Sequence, residues 1–404
     1  MRTLLDLLGA PDRALRIVTI AGTNGKGSTG AVLESILSHA GRRVGWFAQP
    51  HLHTFRERIR IERETIDRDR FGAAVTEVRE AVADLRARHP EADEPTTFEL
   101  TVAIAAVAFA RSAIDIAIFE VGLGGRLDPV NALSPCLTIL TRIGRDHEAL
   151  LGSNVGAIAR EKVGIARPGV LCLSSPQVTA AMRAIERTTA KIAAPLRLVS
   201  PLPVASATDG VARVRPGRSG AHVLLGLTGV HQRENAALAV AAVESLADHG
   251  VEIQEDAVAA GLAATRWPGR LEVIAGDPTI ILDAAHNPLG SSALAHALRS
   301  LAPNGYDLVF GCARDKDIGG ILRALLPRAR AVRLAGADDP RAATATEIVA
   351  RVAAVNRRQL TAAPDVASAL AGAWPDPPRP IVVTGSFRVV AAARVALGLA
   401  HECD

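Results

Sequence analysis

A glycine-rich segment near the start of the chain, GTNGKGST at positions 22–29, has the residue types of a phosphate-binding loop. It joins an apolar strand-like run to a helix-like run, and backbone N–H groups in such a loop bind phosphate oxygens. Lys26 can reach the β and γ phosphates, and a nearby hydroxyl can ligate Mg²⁺. The strict G-x-x-x-x-G-K-[ST] pattern is not met, because Ile20 replaces its first glycine and Gly27 separates Lys26 from Ser28. The flanking strand and helix nevertheless favour nucleotide binding over a generic turn.

Polar side chains also follow two neighbouring strand-like runs. Glu120 ends the run 115–121 beside a glycine-rich turn, and Asp146 and His147 follow the run 136–143. Sites in parallel α/β sheets lie at the carboxyl ends of the strands. Glu120 is therefore expected to hold Mg²⁺ next to the phosphates, and His147 is expected to belong to the same site rather than to the surface.

The second half of the chain repeats this pattern. The segment IILDAAHNPLG ends a strand in Asp283, His286 and Asn287, and the segment IVVTGSFRVV ends another strand near Ser386. Lys316 lies in a third such segment, LVFGCARDKD. Each segment alone is weak evidence, but three in one sheet indicate an acceptor or substrate face.

The lysines are informative because the chain has so few. Only Lys26, Lys162, Lys191 and Lys316 are lysine among 46 basic residues. Lysine, unlike arginine, can lose its proton and react at nitrogen. Lys162 lies on a predicted helix with apolar neighbours, where a bare ammonium is costly to bury unless it is paired or modified. A carbamate formed with CO₂ would convert it to an anion that can ligate a metal, whereas Lys191 is expected at the surface.

Composition excludes several classes of protein. The 404 residues are 49% hydrophobic and 22% charged, which is typical of a globular protein of two domains. The net charge is +4, but aromatic residues make up only 3% and no basic run occurs, so we expect no nucleic-acid partner. The longest apolar stretch, near 101–110, is shorter than the about 20 residues of a bilayer helix, and no membrane partner is expected. The four dispersed cysteines and the absence of a signal-peptide pattern favour the cytoplasm.

Strand-like and helix-like runs alternate along the chain, which predicts α/β architecture with mostly parallel sheets. The alternation is interrupted by short β-like pieces from about 202 to 227 and by the segment TRWPGR. A second alternating series begins after it. We therefore expect two domains, residues 1–268 and residues 269–404.

Eleven motifs together resemble those of the folylpolyglutamate synthase and dihydrofolate synthase family, which is related to the Mur ligases. In chain order they are GTNGKGST, PHL, FRERIRI, EVGLGGRLD, DH, EKVGI, HQRENAAL, RWPGRLE, DAAHNP, DKD and TGS. The resemblance implies a P-loop-type, ATP-binding Mur ligase central domain and a smaller, C-terminal Rossmann-like glutamate ligase domain, with the active site between them.

The resemblance also implies roles for individual residues. The implied ATP-binding residues are Gly22, Thr23, Asn24, Gly25, Lys26, Gly27, Ser28, Asn235, Arg270 and Asp283. The implied ligands of Mg²⁺ are Ser28, Gln49, Glu120, His147 and a carbamylated Lys162, and the implied glutamate-binding residues are His286 and Ser386. Lys26, Lys162, Asp283 and His286 are the implied catalytic residues.

The implied reaction transfers the γ-phosphoryl group of ATP to the carboxylate of a folate-type acceptor, and the amine of L-glutamate then attacks the acyl phosphate. The expected partners are these small molecules, and the expected state is a monomer. The match departs from the family at Gln49, where serine is usual, and only 21 residues precede Gly22. We expect these departures to affect the acceptor more than the ligase chemistry. The alternatives are a Mur ligase, a P-loop GTPase or kinase, and a repurposed homologue that uses another acceptor or is not catalytic.

Overall fold

The computed structural model describes residues 1–91, 93–208, 211–216, 222–352 and 360–400. Its N-terminal part is built on an eight-stranded sheet with the order β4-β3-β2-β5-β1-β6-β7-β8. The strands are β1 (Arg16–Ala21), β2 (Val44–Phe47), β3 (Ile59–Ile61), β4 (Glu64–Thr65), β5 (Ile116–Glu120), β6 (Pro135–Leu140), β7 (Cys172–Ser174) and β8 (Leu196–Leu198). Neighbouring strands from β2 to β8 are parallel, and the short strands β3 and β4 pair antiparallel at one edge.

Nine helices accompany this sheet in the described part of the chain. They are α1 (Arg2–Leu7), α2 (Lys26–His39), α3 (Arg68–Arg88), α4 (Thr97–Arg111), α5 (Glu148–Leu151), α6 (Val155–Val163), α7 (Thr179–Lys191), α8 (Gln232–Leu246) and α9 (Glu255–Ala264). A small antiparallel sheet of β9 (Val204–Thr208), β10 (Val211–Val214) and β11 (Val223–Leu224) lies between α7 and α8 in sequence. These are the short β pieces expected from the glycine- and proline-containing stretch.

Strand β1 shows why both faces of the large sheet are covered. Every residue from Ile17 to Ala21 is buried, as expected of a central parallel strand. Ile17 belongs to the hydrophobic core that includes α4 and α6, whereas Val18 and Ile20 belong to the core that includes α2 and α8. Because successive side chains point to opposite faces, this one strand anchors helices on both sides and fixes the position of the loop that follows it.

The second part of the chain has its own sheet, with the order β12-β13-β17-β14-β15-β16. The strands are β12 (Glu272–Ile274), β13 (Ile280–Asp283), β14 (Tyr306–Phe310), β15 (Ala329–Leu334), β16 (Leu360–Ala362) and β17 (Ile381–Thr384). Only β12 runs antiparallel to its neighbour. The helices are α10 (Pro288–Leu301), α11 (Ile318–Leu325), α12 (Ala345–Ala350), α13 (Val366–Ala371) and α14 (Phe387–Ala396).

The alternating α/β architecture with mostly parallel sheets confirms the predicted fold class. None of the helices in the described ranges combines the length and apolarity needed to cross a bilayer. The strand expected over 136–143 ends at Leu140, and the residues after it leave the sheet and run towards the phosphate loop. These departing residues carry part of the candidate site.

Candidate active site

A cavity of about 490 Å³ lies between the two sheets and is lined from both of them. Its walls are formed by residues that follow β1, β2, β5 and β6 on one side and β13, β14 and β17 on the other. Every site residue expected from the sequence lines this cavity: Gly22, Thr23, Asn24, Gly25, Lys26, Gly27, Ser28, Gln49, Glu120, His147, Lys162, Asn235, Arg270, Asp283, His286 and Ser386. Residues far apart in sequence therefore share one cleft.

The phosphate loop is held in a conformation that requires glycine at two positions. Gly22 and Gly25 have φ angles of 153° and 96°. A Cβ atom on Gly22 would lie 1.8 Å from Thr141 Oγ1, and one on Gly25 would lie 2.3 Å from Asn235 Oδ1. The loop is tied to the segment after β6, because the N–H groups of Thr23 and of the next residue both donate to a single backbone carbonyl there, at 2.9 and 3.2 Å. The loop is thus shaped by packing before any phosphate binds.

Glu120 is a buried carboxylate that lies close to this loop. It ends β5, its side chain is 4% exposed, and Lys26 Nζ lies 3.9 Å from its Oε1. The backbone N–H of Gln49 donates to Oε2 at 3.3 Å. Burial raises the pKa of Glu120 to about 7, although Lys26 and the Gln49 N–H both act to lower it. A carboxylate so poorly solvated, in a cavity that the buried residue Ser28 also lines, suits a divalent cation.

Gln49, which the family resemblance implies as a metal ligand, has a protein partner for its amide group. Its amide oxygen, the atom that could ligate a cation, accepts a hydrogen bond from Arg58 Nη1 at 2.9 Å. Arg58 also donates from Nε to His51 Nδ1 at 2.9 Å and stacks on Phe55, with 4.9 Å between its Cζ and the ring centroid. The sequence analysis assigned no role to Arg58, which lies in the motif FRERIRI. An amide oxygen has two lone pairs, so the hydrogen bond from Arg58 leaves one for a cation and Gln49 stays a predicted ligand.

Lys162 lies on the last turn of α6, and its residue is 6% exposed. Burial, together with the nearby positive charge of Lys26, lowers the pKa of its ammonium to about 7. In the described part of the chain no residue forms a hydrogen bond with its Nζ. His147, whose φ of 50° is left-handed, lines the same wall, and burial lowers the pKa of its ring. An uncharged amine beside a neutral imidazole is compatible with metal ligation after carbamylation.

Asp283 and Arg270 both line the second sheet's wall of the cavity and act on each other through their charges. Asp283 accepts hydrogen bonds from the N–H groups of Leu271 and Ala285, both at 2.9 Å. Burial raises the pKa of Asp283, while Arg270 acts in the opposite direction. The guanidinium of Arg270 stacks on Phe387, with 4.4 Å between its Cζ and the ring centroid. This arrangement fixes the direction of Arg270 towards the cavity.

His286 and Ser386 lie on the same wall but are held differently. The Nδ1 of His286 lies 2.8 Å from the carbonyl oxygen of Ala284, and its ring packs against Phe387 at 5.6 Å between centroids. Ser386 caps α14, because its Oγ accepts a hydrogen bond from the N–H of Val389 at 3.1 Å. The hydroxyl proton of Ser386 remains available as a donor to a ligand.

Asp146 and Lys316, which the sequence placed in motifs without an assigned role, meet in this cleft at 2.8 Å. Burial alone would raise the pKa of Asp146, but hydrogen bonds and charges from His286 and Lys316 outweigh it and hold the pKa well below its ordinary value. The side-chain amides of Asn24 and Asn287 also face each other across the cleft, at 2.9 and 3.0 Å. These contacts join the phosphate loop to the second sheet.

Comparison with known proteins shows the family that this chain resembles. Residues 269–387 match the family model of the Mur ligase glutamate ligase domain. The chain is 34% identical to the dihydrofolate synthase/folylpolyglutamate synthase of Bacillus subtilis, over 86% of this chain and 83% of the relative. It is also 34% identical to the protein of that name from Mycobacterium tuberculosis, over 98% of this chain and 88% of the relative.

Solved structures show the same similarity. The folylpolyglutamate synthase of Mycobacterium tuberculosis, complexed with ADP and AMPPCP, superposes with a TM-score of 0.89 at 33% identity, covering 98% of this chain and 94% of that chain. The Escherichia coli FolC complex with DHPP and ADP has a TM-score of 0.83 at 29% identity, covering 98% and 92%. The chain belongs to the folylpolyglutamate synthase/dihydrofolate synthase family.

Proposed function

We propose that this chain is an ATP-dependent, ADP-forming ligase that joins L-glutamate to a folate-type acceptor. The acceptor is tetrahydrofolate or its glutamylated forms, dihydropteroate, or both. One observation carries the proposal: the phosphate loop, the buried Glu120 and the C-terminal residues Asp283 and His286 all line a single cleft. The names of the relatives and the ligands of their solved structures support the same reaction.

The first step is phosphoryl transfer. An oxygen of the acceptor carboxylate attacks the γ-phosphorus of ATP, the bond to the β-γ bridging oxygen breaks, and ADP leaves. The backbone N–H groups of residues 22–28 bind the phosphates, and Lys26 neutralises charge on the transferred group. Asn235, Arg270 and Asp283 complete the ATP site from both sides of the cleft. The product is an acyl phosphate, which is a better acyl donor than the carboxylate.

The second step forms the amide bond. The glutamate nitrogen attacks the carbonyl carbon of the acyl phosphate and loses a proton, and the bond from that carbon to the phosphate oxygen breaks to release inorganic phosphate. His286 and Ser386 hold the incoming glutamate on the wall that faces the phosphate loop. Their anchoring by Ala284 and by the start of α14 supports this role, because neither side chain has to be reorganised.

Mg²⁺ is the cofactor that we propose. Ser28, Gln49 and Glu120 would hold one ion, and His147 with a carbamylated Lys162 would hold a second. When bound, Mg²⁺ neutralises charge on the phosphate oxygens. The burial and raised pKa of Glu120 and the lowered pKa of Lys162 support this assignment.

We also propose that residues 1–268 and 269–404 are the two domains that form the cleft. Separate sheets on either side of this boundary support the division, as does the family match that begins at residue 269. Substrates then enter between the domains, where each domain supplies part of the site.

The test is ADP release from ATP with a panel of acceptors, with products identified by mass. We expect ADP release that requires both glutamate and a pterin-containing acid, and a product heavier than the acceptor by one or more glutamyl residues. ATP binding without ADP release from dihydropteroate or reduced folate would contradict the proposal. It would favour the alternative, a repurposed homologue that uses another carboxylate acceptor or is not catalytic.

A further inference from the structure

Asp146 is a cleft residue to which the proposed mechanism gives no task, and its carboxylate has an unusual set of partners. Three side chains of the second sheet's wall converge on it: Lys316 Nζ lies 2.8 Å from Oδ1, Asn287 Nδ2 donates to Oδ2 at 2.9 Å, and His286 Nε2 lies 3.4 Å from Oδ2. The side chain of Asp146 is only 8% exposed.

The topology shows what these contacts connect. His286 and Asn287 follow β13, and Lys316 follows β14, and these strands are separated by β17 in the sheet order. One carboxylate from the segment after β6 therefore bridges the ends of two strands of the second sheet, β13 and β14, on either side of β17. Asn287 continues the network to Asn24 of the phosphate loop. The network links the glutamate-binding wall to the phosphate-binding wall through a few short contacts.

Asp146 has no acceptor capacity left for a substrate in this arrangement. Oδ1 accepts from Lys316 and from the backbone N–H of His147 at 2.8 Å, while Oδ2 accepts from Asn287 and lies against His286. An anionic oxygen would also repel the carboxylates of glutamate if it were free. Its effect must therefore pass through the groups that it holds.

We propose that Asp146 is a positioning residue that fixes Lys316 and His286 on the cavity wall for the incoming glutamate. This inference rests on the proposed ligase function. Lys316 is 13% exposed and has this carboxylate as its ion-pair partner within the described residues. Without it, the long flexible ammonium of Lys316 would lose its fixed direction and His286 would lose the partner of its Nε2, and glutamate would have to order these groups on binding.

The experiment compares Asp146→Asn with wild type by steady-state kinetics and by calorimetric ATP binding. Asparagine keeps the shape and one acceptor but removes the charge. Because a charge-assisted hydrogen bond is lost, we expect the KM for glutamate to rise by about tenfold or more. The Kd for ATP and the Tm should stay close to wild type. Glu148→Gln is the matched control, since it removes an exposed charge two residues further along the chain, at the start of α5, and should leave all these values unchanged.

A double-mutant cycle tests whether Asp146 acts through Lys316. If it does, Lys316→Gln and Asp146→Asn have non-additive effects on the KM for glutamate, whereas a general structural role gives additive effects. Additive effects, a glutamate KM within about twofold of wild type, or an equal loss of ATP binding would each overturn the inference. An inactive wild-type protein would instead overturn the proposed function, so the two failures are distinguishable.

Discussion

The proposed carbamate on Lys162 forms only at an uncharged amine, which makes it testable from the surroundings of this one residue. CO₂ adds to the neutral nitrogen and a proton is released, so the ammonium form cannot react. Burial lowers the pKa of Lys162 from 10.5 to about 7. At pH 7.5 an ordinary lysine is uncharged in about one molecule in a thousand, whereas a pKa of about 7 leaves about three quarters uncharged. The lowered pKa thus raises the fraction of uncharged, reactive amine by a factor of about several hundred.

The assay is carbon-13 NMR of the protein equilibrated with labelled bicarbonate. We expect a carbamate signal in the wild type that disappears in Lys162→Arg and weakens as the pH falls below about 7. Lys191→Arg is the matched control, because Lys191 is exposed at the end of α7 and should not influence the signal. With four lysines in the chain, few other amines can contribute background.

The same variants test the function of the carbamate. Lys162→Arg keeps a positive charge but cannot carry CO₂, so we expect it to abolish turnover while Lys191→Arg remains active. A carbamate signal that persists in Lys162→Arg, or full ligase activity in that variant, would refute the reasoning.

Three further predictions concern the phosphate loop, the metal site and the second sheet. Gly25→Ala places a Cβ against Asn235 and should raise the Kd for ATP by at least about tenfold in calorimetry, whereas Gly41→Ala, with a similar positive φ but open space, should not. The Mn²⁺ affinity of the wild type, measured by electron paramagnetic resonance, should rise as the pH increases through about 7, because Glu120 then loses its proton. An affinity that stays constant or falls over this pH range would contradict the role of Glu120 as a metal ligand. Asp307→Ala removes a fully buried carboxylate that pairs with an arginine. Urea titration should show a free energy of unfolding lower by about 3 kcal/mol, and an unchanged value would contradict a stabilising role for the pair.

The sequence was sufficient to predict the fold class, because long apolar runs such as β1 and β5 are buried on both faces and carry a strong signal. The short edge strands β3 and β4 were not predicted, since two or three residues show no readable periodicity. Helix α7 was also missed, although its buried residues recur at helical spacing. Strand ends depend on pairing with neighbours, which explains why β6 is shorter than its apolar run.

Strand-end geometry in parallel sheets was enough to expect Glu120, His147, Asp283 and His286 near one cleft, whereas Gln49, Asn235 and Arg270 came from the family resemblance alone. Their contacts were not predictable. Nothing local to Gln49 indicates that Arg58 binds its amide oxygen, and nothing local to Asp146 indicates three partners from the second sheet. Such contacts arise from tertiary packing between segments up to 170 residues apart. Motif spacing can assign a residue to a site, but it does not predict which side chains that residue contacts there.

The most direct test of the central claim follows oxygen through the reaction. An acceptor whose reacting carboxylate carries ¹⁸O is turned over with ATP and glutamate, and the released phosphate is measured by mass spectrometry. The proposed acyl phosphate predicts that each phosphate carries one oxygen from the carboxylate, because the bond between that oxygen and the carbonyl carbon breaks in the second step. Amide product accompanied by unlabelled phosphate would contradict the account.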